Sequence, residues 1–140
     1  MFHIQKYEDR LASWQEFRES LETVDNPLQS VLDYYDQAPR VSINTDPWDN
    51  ATWPDPWELI HENQYCTFCT VLGICYSLQL TERFKGSKFE IHIGIDDADS
   101  CRRYICIVDD QYITNNDYGL KKDLPQSFVP EIKYNMTSKQ

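Results

Sequence analysis

Long hydrophobic runs are absent from this sequence. No stretch approaches the roughly 20 consecutive apolar residues that a membrane-spanning helix needs. The opening residues, MFHIQKYEDRLASW, mix charged with apolar side chains and so lack the apolar segment of a secretory signal peptide. Internal repeats and low-complexity tracts are missing as well. We therefore expect a chain that neither enters a membrane nor is exported, and that works in a reducing cytoplasm.

Positive charge is also scarce. The sequence has 13 Lys and Arg residues against 23 Asp and Glu residues, which gives a formal net charge of -10. A groove that follows a nucleic-acid backbone needs clustered positive charge, so nucleic acid is not an expected partner. If electrostatic attraction selects a partner, that partner is a protein with a basic surface. The length of 140 residues, with 41% hydrophobic residues, predicts one folded domain with a single core.

A disulfide framework is not expected, because thiols stay reduced in the cytoplasm. The chain has five cysteines, and two of them, Cys66 and Cys69, form a C-x-x-C pair. A zinc site that adds Cys101 and Cys106 is disfavoured, since residues five apart in one strand point to opposite faces. A thioredoxin-like redox site is disfavoured too, because a loop and a helical turn, rather than a strand, precede the pair. The sequence predicts buried thiols.

An acidic segment, residues 96–100, carries three aspartates and a serine. A calcium-binding loop of the strong type also needs a central glycine and a distant glutamate, and this segment has neither. We interpret it as a solvated turn. No metal and no cofactor are predicted for the chain.

The first 40 residues predict two helices. Apolar side chains recur at spacings of three and four from Ile4 to Leu21, which is typical of a helix with one buried face. Asn26 and Pro27 then give the combination of a capping residue and a proline at the first helical position. The second helix is expected to end before Pro39.

Residues 41–57 form a segment that we call the Trp-Pro loop, in which three tryptophans and three prolines follow no helical or strand period. Indole rings of this size must cover something, either the core of the domain or a partner. The sequence leaves both interpretations open. As a hypothesis, Trp48, Trp53 and Trp57 form a contact surface, and unfolding of the domain on their replacement by alanine would instead assign them to the core.

The rest of the chain predicts a central helix, a sheet and an irregular tail. Asp55 and Pro56 repeat the capping signal and predict a helical turn over Trp57–Ile60, and the central helix of residues 58–86 is expected from Tyr65 to Arg83, where little of the helical circumference is polar and burial on most sides is indicated. Residues 87–120 alternate with a period of two and contain short polar turns, which predicts an antiparallel sheet of three or four strands. Residues 121–140 contain two prolines and are expected to be irregular. The predicted fold class is α+β, with helices and the Trp-Pro loop packed around the central helix and the sheet.

One group of residues is compatible with cysteine catalysis. Cys66 lies near a predicted helix start, where the dipole and free amides lower the pKa of a thiol. His92 and then Asp109 or Asp110 follow it on the sheet. A helix-start cysteine followed by His and Asp on antiparallel strands resembles the core of transglutaminase-like cysteine enzymes. The resemblance implies such a fold, with Cys66 as nucleophile, His92 as base and Asp110 as its partner.

The family's register does not match these residues one by one. In that family the histidine begins the strand that leads into the hairpin, and the aspartate ends the next strand. The matching hairpin here is CRRYICIVDDQYITNND, which places Cys101 or Arg102 at the histidine position and Asn116 at the aspartate position. No catalytic residue is therefore favoured. A cysteine hydrolase or acyltransferase remains the alternative to a chain that is not an enzyme.

A second resemblance concerns the run DPWDNATWPDPWELIHENQYCTFCTVLGICYSLQLTERF and the strand FEIHIGID after it. It resembles small proteins of contractile-tailed phages that infect marine cyanobacteria, a group to which no reaction is attached. The resemblance implies action in the host bacterial cytoplasm or as part of the virion. The favoured function is thus a non-enzymatic structural or assembly component, or an interaction factor, that contacts a phage or host protein. The oligomeric state stays open.

Overall fold

The computed structural model describes residues 1–115 and 118–136. Within them the chain forms four α-helices, five β-strands and one short 3-10 turn, Asn50–Thr52. The helices are α1 (Tyr7–Ser20), α2 (Pro27–Asp36), α3 (Pro56–Glu62) and α4 (Thr67–Gln79). The strands are β1 (Phe89–Asp96), β2 (Cys101–Val108), β3 (Tyr112–Asn115), β4 (Gly119–Lys121) and β5 (Phe128–Asn135). The predicted α+β fold class is confirmed.

The N-terminal helices begin and end close to where the sequence places them. In α2 the side chain of Asn26 accepts a hydrogen bond from the amide of Gln29, and Pro27 takes the first helical position. Helix α1 is anchored to the core by Trp14, whose indole donates to the hydroxyl of Ser77 at 2.9 Å. The hydroxyls of Ser77 and Tyr35 lie 2.9 Å apart, so one buried polar cluster joins α1, α2 and α4.

The segment 58–86, assigned as a whole to the central helix, contains two helices: α3 lies at the helical turn expected over Trp57–Ile60, and α4 lies within the central helix expected from Tyr65 to Arg83. Asp55 and Glu58 form a reciprocal capping box that begins α3. Asn63 adopts a left-handed conformation with φ of 52°, which ends α3 after two turns. Cys66 then caps α4, and α4 ends at Gln79. Helix α4 is the buried central helix of the prediction, although it is shorter than expected.

The five strands form one sheet in the order β4-β3-β2-β1-β5, with antiparallel pairing throughout. The sheet exceeds the three or four strands expected, because residues 121–140 were predicted to be irregular and instead contribute β5. Strand β5 pairs with β1 although it contains Pro130, and the register shifts beside that residue. A proline is tolerated there because β5 is an edge strand.

Alternation along β1 gives the sheet two distinct faces. Ile91 and Ile93 belong to the main core cluster together with Cys66 and much of α4. We call this the inner face. The side chains between them point the other way, toward an outer face that carries a smaller apolar cluster around Ile105 and Phe128. None of the helices in the described residues is long and apolar enough to cross a membrane.

Candidate functional site

Cys66 lies where the inner face of the sheet meets the start of α4. It is the N-cap residue, and its Sγ accepts a hydrogen bond from the amide of Cys69 at 3.4 Å. The side chain is fully buried. A hydrogen bond from the Cys69 thiol lowers the pKa of Cys66 to about 5, against the opposing effect of burial, and backbone hydrogen bonds contribute to the same shift. The structure thus holds a thiolate-favouring site at a helix start.

The Trp-Pro loop covers this site. The hydroxyl of Thr45 lies 3.3 Å from the Cys69 Sγ, and the side-chain oxygen of Asn44 lies 3.6 Å from the same sulfur. The hydrogen bond with Cys66 and burial raise the pKa of Cys69 far above its ordinary value. The two thiols of the C-x-x-C pair therefore have very different pKa values, and the Trp-Pro loop covers both of them.

His92 does not reach Cys66. Its ring lies on the outer face of the sheet, where Nε2 is 3.4 Å from Oε1 of Glu90, while Cys66 lies on the inner side. The other histidines do not replace it: His3 is exposed, and the His61 ring packs against Tyr7 with centroids 5.0 Å apart. The imidazole that the catalytic alternative needs is therefore separated from the thiol by the sheet.

Asp110 is also apart from Cys66. It lies in the turn between β2 and β3, where both Asp109 and Asp110 have left-handed backbones, and its carboxylate pairs with Lys88 at 3.1 Å. The Asp109 carboxylate accepts from the amide of Lys88 at 2.7 Å. Both aspartates thus fix the hairpin turn. The structure does not bring Cys66, His92 and Asp110 together.

The positions that correspond to the family's catalytic His and Asp are occupied by residues of other types. Cys101 is exposed, and the Arg102 guanidinium pairs with Glu131 at 3.1 Å and lies 5.1 Å from the ring centre of Trp48. Asn116 lies outside the described residues. On the inner face of β2, the ring of Tyr104 packs against Phe68 of α4. An aromatic ring thus occupies the inner face of β2 beside the first turn of α4.

The three tryptophans of the predicted contact surface have different environments. Trp53 is half-buried, with its ring 4.9 Å from that of Phe68 and 4.8 Å from that of Tyr134, so it covers the core. Trp48 and Trp57 remain 43% and 46% exposed. Trp57 packs beside Trp14 of α1, whereas Trp48 lies over Arg102 of β2. The tryptophans therefore do not share one set of neighbours.

Sequence reasoning missed the composition of the surface around Trp48. Val41 and Ile43 are 40% and 54% exposed, on the same loop that covers the thiols. The sequence contains no Lys or Arg between Val41 and Glu82. Five exposed carboxylates fall between residues 41 and 62: Asp46, Asp49, Asp55, Glu58 and Glu62. The lack of positive charge over this stretch was the signal that could have identified an acidic, apolar surface.

Metal ligands do not converge in the part of the chain that the structure describes. There, no group of three or more His, Cys, Asp or Glu residues is placed to hold a metal ion. Cys101 is exposed, while the other cysteines are buried. Cys75 of α4 and Cys106 of β2 form a second thiol pair within the core, and burial raises the pKa of Cys75.

No protein-family model matches the sequence, and no curated protein matches it. Among solved structures, calcium-bound LapG of Legionella pneumophila is similar, with a TM-score of 0.69 and 12% sequence identity. The match covers 96% of this chain and 78% of LapG. It is a match to a bacterial protein, and a phage origin stays a prediction. LapG is transglutaminase-like, and at this identity the likeness concerns the fold alone. The α+β fold of this chain is therefore similar to that of LapG.

Proposed function

We propose that this chain is a transglutaminase-like domain that binds a basic protein partner and performs no acyl transfer through Cys66. One observation carries the proposal: the position of the Trp-Pro loop. The loop covers the thiol at the helix start through Asn44 and Thr45, and its outer surface is apolar and acidic. The element that blocks the nucleophile is thus the element that offers a contact surface.

The chemistry of this surface indicates the class of partner. Val41, Ile43 and Trp48 expose apolar surface to water. A partner that covers these side chains gains free energy from burying that surface. Aromatic side chains contribute most of the binding energy at many protein interfaces. The neighbouring carboxylates Asp46 and Asp49 have no Lys or Arg within the loop, and the Arg102 guanidinium that lies against Trp48 is already paired with Glu131. A protein with Lys or Arg around an apolar centre is therefore complementary to the loop.

Catalysis through Cys66 lacks a partner in this arrangement. A thiol nucleophile works with a base within hydrogen-bond reach that also returns a proton to the leaving group. The only strand histidine, His92, lies on the outer face beside Glu90. The low pKa of Cys66 favours the thiolate without a base, but no imidazole in this arrangement returns the proton.

The resemblance to phage proteins supports the finer part of the proposal. Under this proposal the partner belongs to the phage or to its bacterial host, and the chain acts in the host cytoplasm or in the virion. A structural or assembly component and an interaction factor both use such a contact surface.

Site-specific photo-crosslinking tests the binding role. A photo-reactive residue is placed at Ile43, and a matched control at Glu16, which is exposed on α1. During infection or in host extract we expect a discrete adduct with a basic protein from position 43 only. Substitution of Asp46 and Asp49 by Asn keeps their hydrogen-bonding oxygens and should weaken binding of the purified partner roughly three- to tenfold. Equal adducts from both positions would contradict the proposal.

A second candidate is the cysteine hydrolase or acyltransferase. Two observations favour it: Cys66 is a helix-start thiol with a pKa of about 5, and LapG is a transglutaminase-like cysteine protease. The test compares the native chain with Cys66→Ala for hydrolysis of activated acyl esters and of an unfolded protein substrate. Under our proposal the two rates are equal. Turnover that depends on Cys66 would replace the binding role with catalysis.

A further inference from the structure

The side chains of Cys66 and Cys69 meet in a hydrogen bond at the first turn of α4. Cys66 is the N-cap and Cys69 is the third helical residue, and an N-cap side chain turns back toward that position. The hydrogen bond from the Cys69 amide to the Cys66 Sγ, at 3.4 Å, shows that the side chain does so here. The thiol of Cys69 also donates to the same sulfur. A disulfide requires such an approach of the two side chains.

We propose that Cys66 and Cys69 form a redox-active dithiol that undergoes thiol–disulfide exchange with low-molecular-weight disulfides when the Trp-Pro loop opens. The sequence disfavours a thioredoxin-like redox site because no strand precedes the pair, and the antiparallel sheet agrees that no thioredoxin-like fold surrounds it. The reactivity that we assign is local to one helix turn and its cover. It does not depend on the fold that surrounds it.

The exchange proceeds in two displacement steps. The Cys66 thiolate attacks one sulfur of a disulfide such as oxidised glutathione, which forms a mixed disulfide and releases one glutathione thiolate. Cys69 loses its proton to solvent or to that thiolate, and its sulfur attacks the Cys66 sulfur. The second glutathione leaves. Two protein thiols are oxidised to one disulfide, and one molecule of oxidised glutathione is reduced to two thiols.

The environment assigns the two sulfurs different parts in this exchange. The attacking group must be a thiolate, and the hydrogen bonds from Cys69 and from the backbone lower the pKa of Cys66, which favours that form. Cys69 keeps its proton and is shielded by Thr45 and Asn44, so it becomes the resolving thiol once the mixed disulfide has formed. The lowered pKa of Cys66 and the shielding of Cys69 both indicate that Cys66 attacks first and Cys69 resolves the mixed disulfide.

An oxidant can reach the two thiols only if the Trp-Pro loop moves away from them. Cys66 and Cys69 are 0% and 1% exposed, so an oxidant reaches them only after the loop moves. The contacts that hold this part of the loop are mainly single hydrogen bonds: the amide of Val41 donates to the carbonyl of Tyr65 at 3.3 Å, Asn44 and Thr45 contact Cys69, the Asn44 backbone bonds to Cys66, and the Trp53 indole donates to the carbonyl of Asp46. Most side chains from 41 to 46 are exposed. Segments with so few buried contacts open at low free-energy cost.

The same chain contains two internal controls. Cys75 and Cys106 also approach one another, but they lie between α4 and β2 in the main core, where no loop covers them. We expect them to stay reduced while the domain is folded. Cys101 is exposed and has no described thiol beside it, so it should form only a mixed disulfide.

The experiment treats the folded full chain with oxidised glutathione near neutral pH, followed by acid quench, alkylation and peptide mass spectrometry. We expect a peptide that contains Cys66 and Cys69 to become two hydrogens lighter, with Cys75 and Cys106 alkylated. The Cys69→Ser variant should accumulate glutathione on Cys66, since nothing resolves the mixed disulfide. The matched control, Cys75→Ser, should form the 66–69 bridge at the native rate.

Circular dichroism of each sample establishes that the domain is folded during oxidation. The proposal is overturned if Cys101 is glutathionylated while Cys66 and Cys69 of the folded native chain stay reduced. It is also overturned if the 66–69 bridge forms only together with a 75–106 bridge, since that pattern indicates global unfolding. Neither result affects the binding role, which photo-crosslinking at Ile43 tests separately.

Discussion

The ring of Tyr35 in α2 lies against the backbone of Gly73 in α4. A β-carbon built on Gly73 would stand 2.5 Å from Cε1 and 2.8 Å from Cζ of that ring, closer than real β-carbons approach. The Tyr35 hydroxyl is fixed by Ser77 one turn further along the same helix. The absence of a side chain at position 73 thus sets the distance between two helices of the core.

We expect Gly73→Ala to lower the free energy of unfolding by about 1–3 kcal/mol, because the Tyr35 ring must leave its place. Urea denaturation at neutral pH measures the change. Gly86→Ala is the matched control, since its β-carbon meets nothing within 4 Å, and it should change the free energy of unfolding by at most about 0.5 kcal/mol. Equal stability of the two variants would show that the helices do not depend on this contact.

Arg10 provides a second test of packing. Its buried guanidinium donates to the carbonyls of Ile4 and Gln5 before α1 and to those of Ile60 and His61 in α3. Arg10→Met removes every donor and leaves the acceptors without partners, so we expect a loss of about 3 kcal/mol or more in the free energy of unfolding.

The control for Arg10 is Lys85→Met, which removes one positive charge from an exposed side chain. Its effect should stay within about 0.5 kcal/mol. Thermal unfolding followed by circular dichroism compares the two variants. If both substitutions changed the free energy of unfolding only slightly, water would be replacing the Arg10 guanidinium as the donor to the four carbonyls.

The tryptophans should separate into a core residue and a surface residue. Trp53→Ala removes the ring between Phe68 and Tyr134, and we expect a loss of roughly 2–4 kcal/mol in the free energy of unfolding. Trp48→Ala should cost less than about 1 kcal/mol, because its ring is 43% exposed. Chemical denaturation gives both values. The opposite order would assign Trp48 to the core and Trp53 to the contact surface.

The lowered pKa of Asp96 leads us to expect that the stability of the fold depends on pH. Hydrogen bonds from Ser127, from the phenol of Tyr118 at 2.7 Å and from the amide of Ala98 lower the pKa of Asp96. A carboxyl whose pKa is lower in the folded state stabilises the fold above its unfolded pKa. That stabilisation disappears as the pH falls through the folded value.

The comparison for Asp96 uses Asp96→Asn, which has no charge to titrate. We expect the native chain to exceed the variant in stability at neutral pH, and the difference to shrink steadily below about pH 4. Denaturation curves at several pH values measure it. A constant difference across that range would show that the charge of Asp96 makes no contribution.

The sequence predicted those parts of the fold that depend on short-range patterns. Helices α1 and α2 follow from apolar spacing and from the Asn26–Pro27 start. The alternation of β1 also placed His92 on the face opposite Ile91, which the structure confirms. The separation of α3 from α4 agrees with the expected helical turn and central helix, whereas the left-handed Asn63 that ends α3 was not predicted, because nothing in the apolar pattern marks such a residue. Strand β5 was missed because its pairing with β1 spans a long chain separation.

The candidate site was predictable only in part. The position of Cys66 at a helix start follows from the sequence, and the structure makes it the N-cap. Its cover does not follow, because Asn44 and Thr45 reach Cys69 through contacts between residues 24 and 25 positions apart. The roles of the tryptophans depend in the same way on long-range neighbours, such as Tyr134 beside Trp53.

The end of the sheet at β5 has a consequence for self-association. An open edge strand offers unpaired amides and carbonyls to other chains and is a common start of aggregation. Here the edge contains Pro130, which has no amide hydrogen, and its register shifts at that residue. Glu131 and Lys133 add exposed charges of both signs along the same strand. This edge is therefore a poor template for a further strand, so the end of the sheet at β5 resists the addition of a second copy by strand pairing.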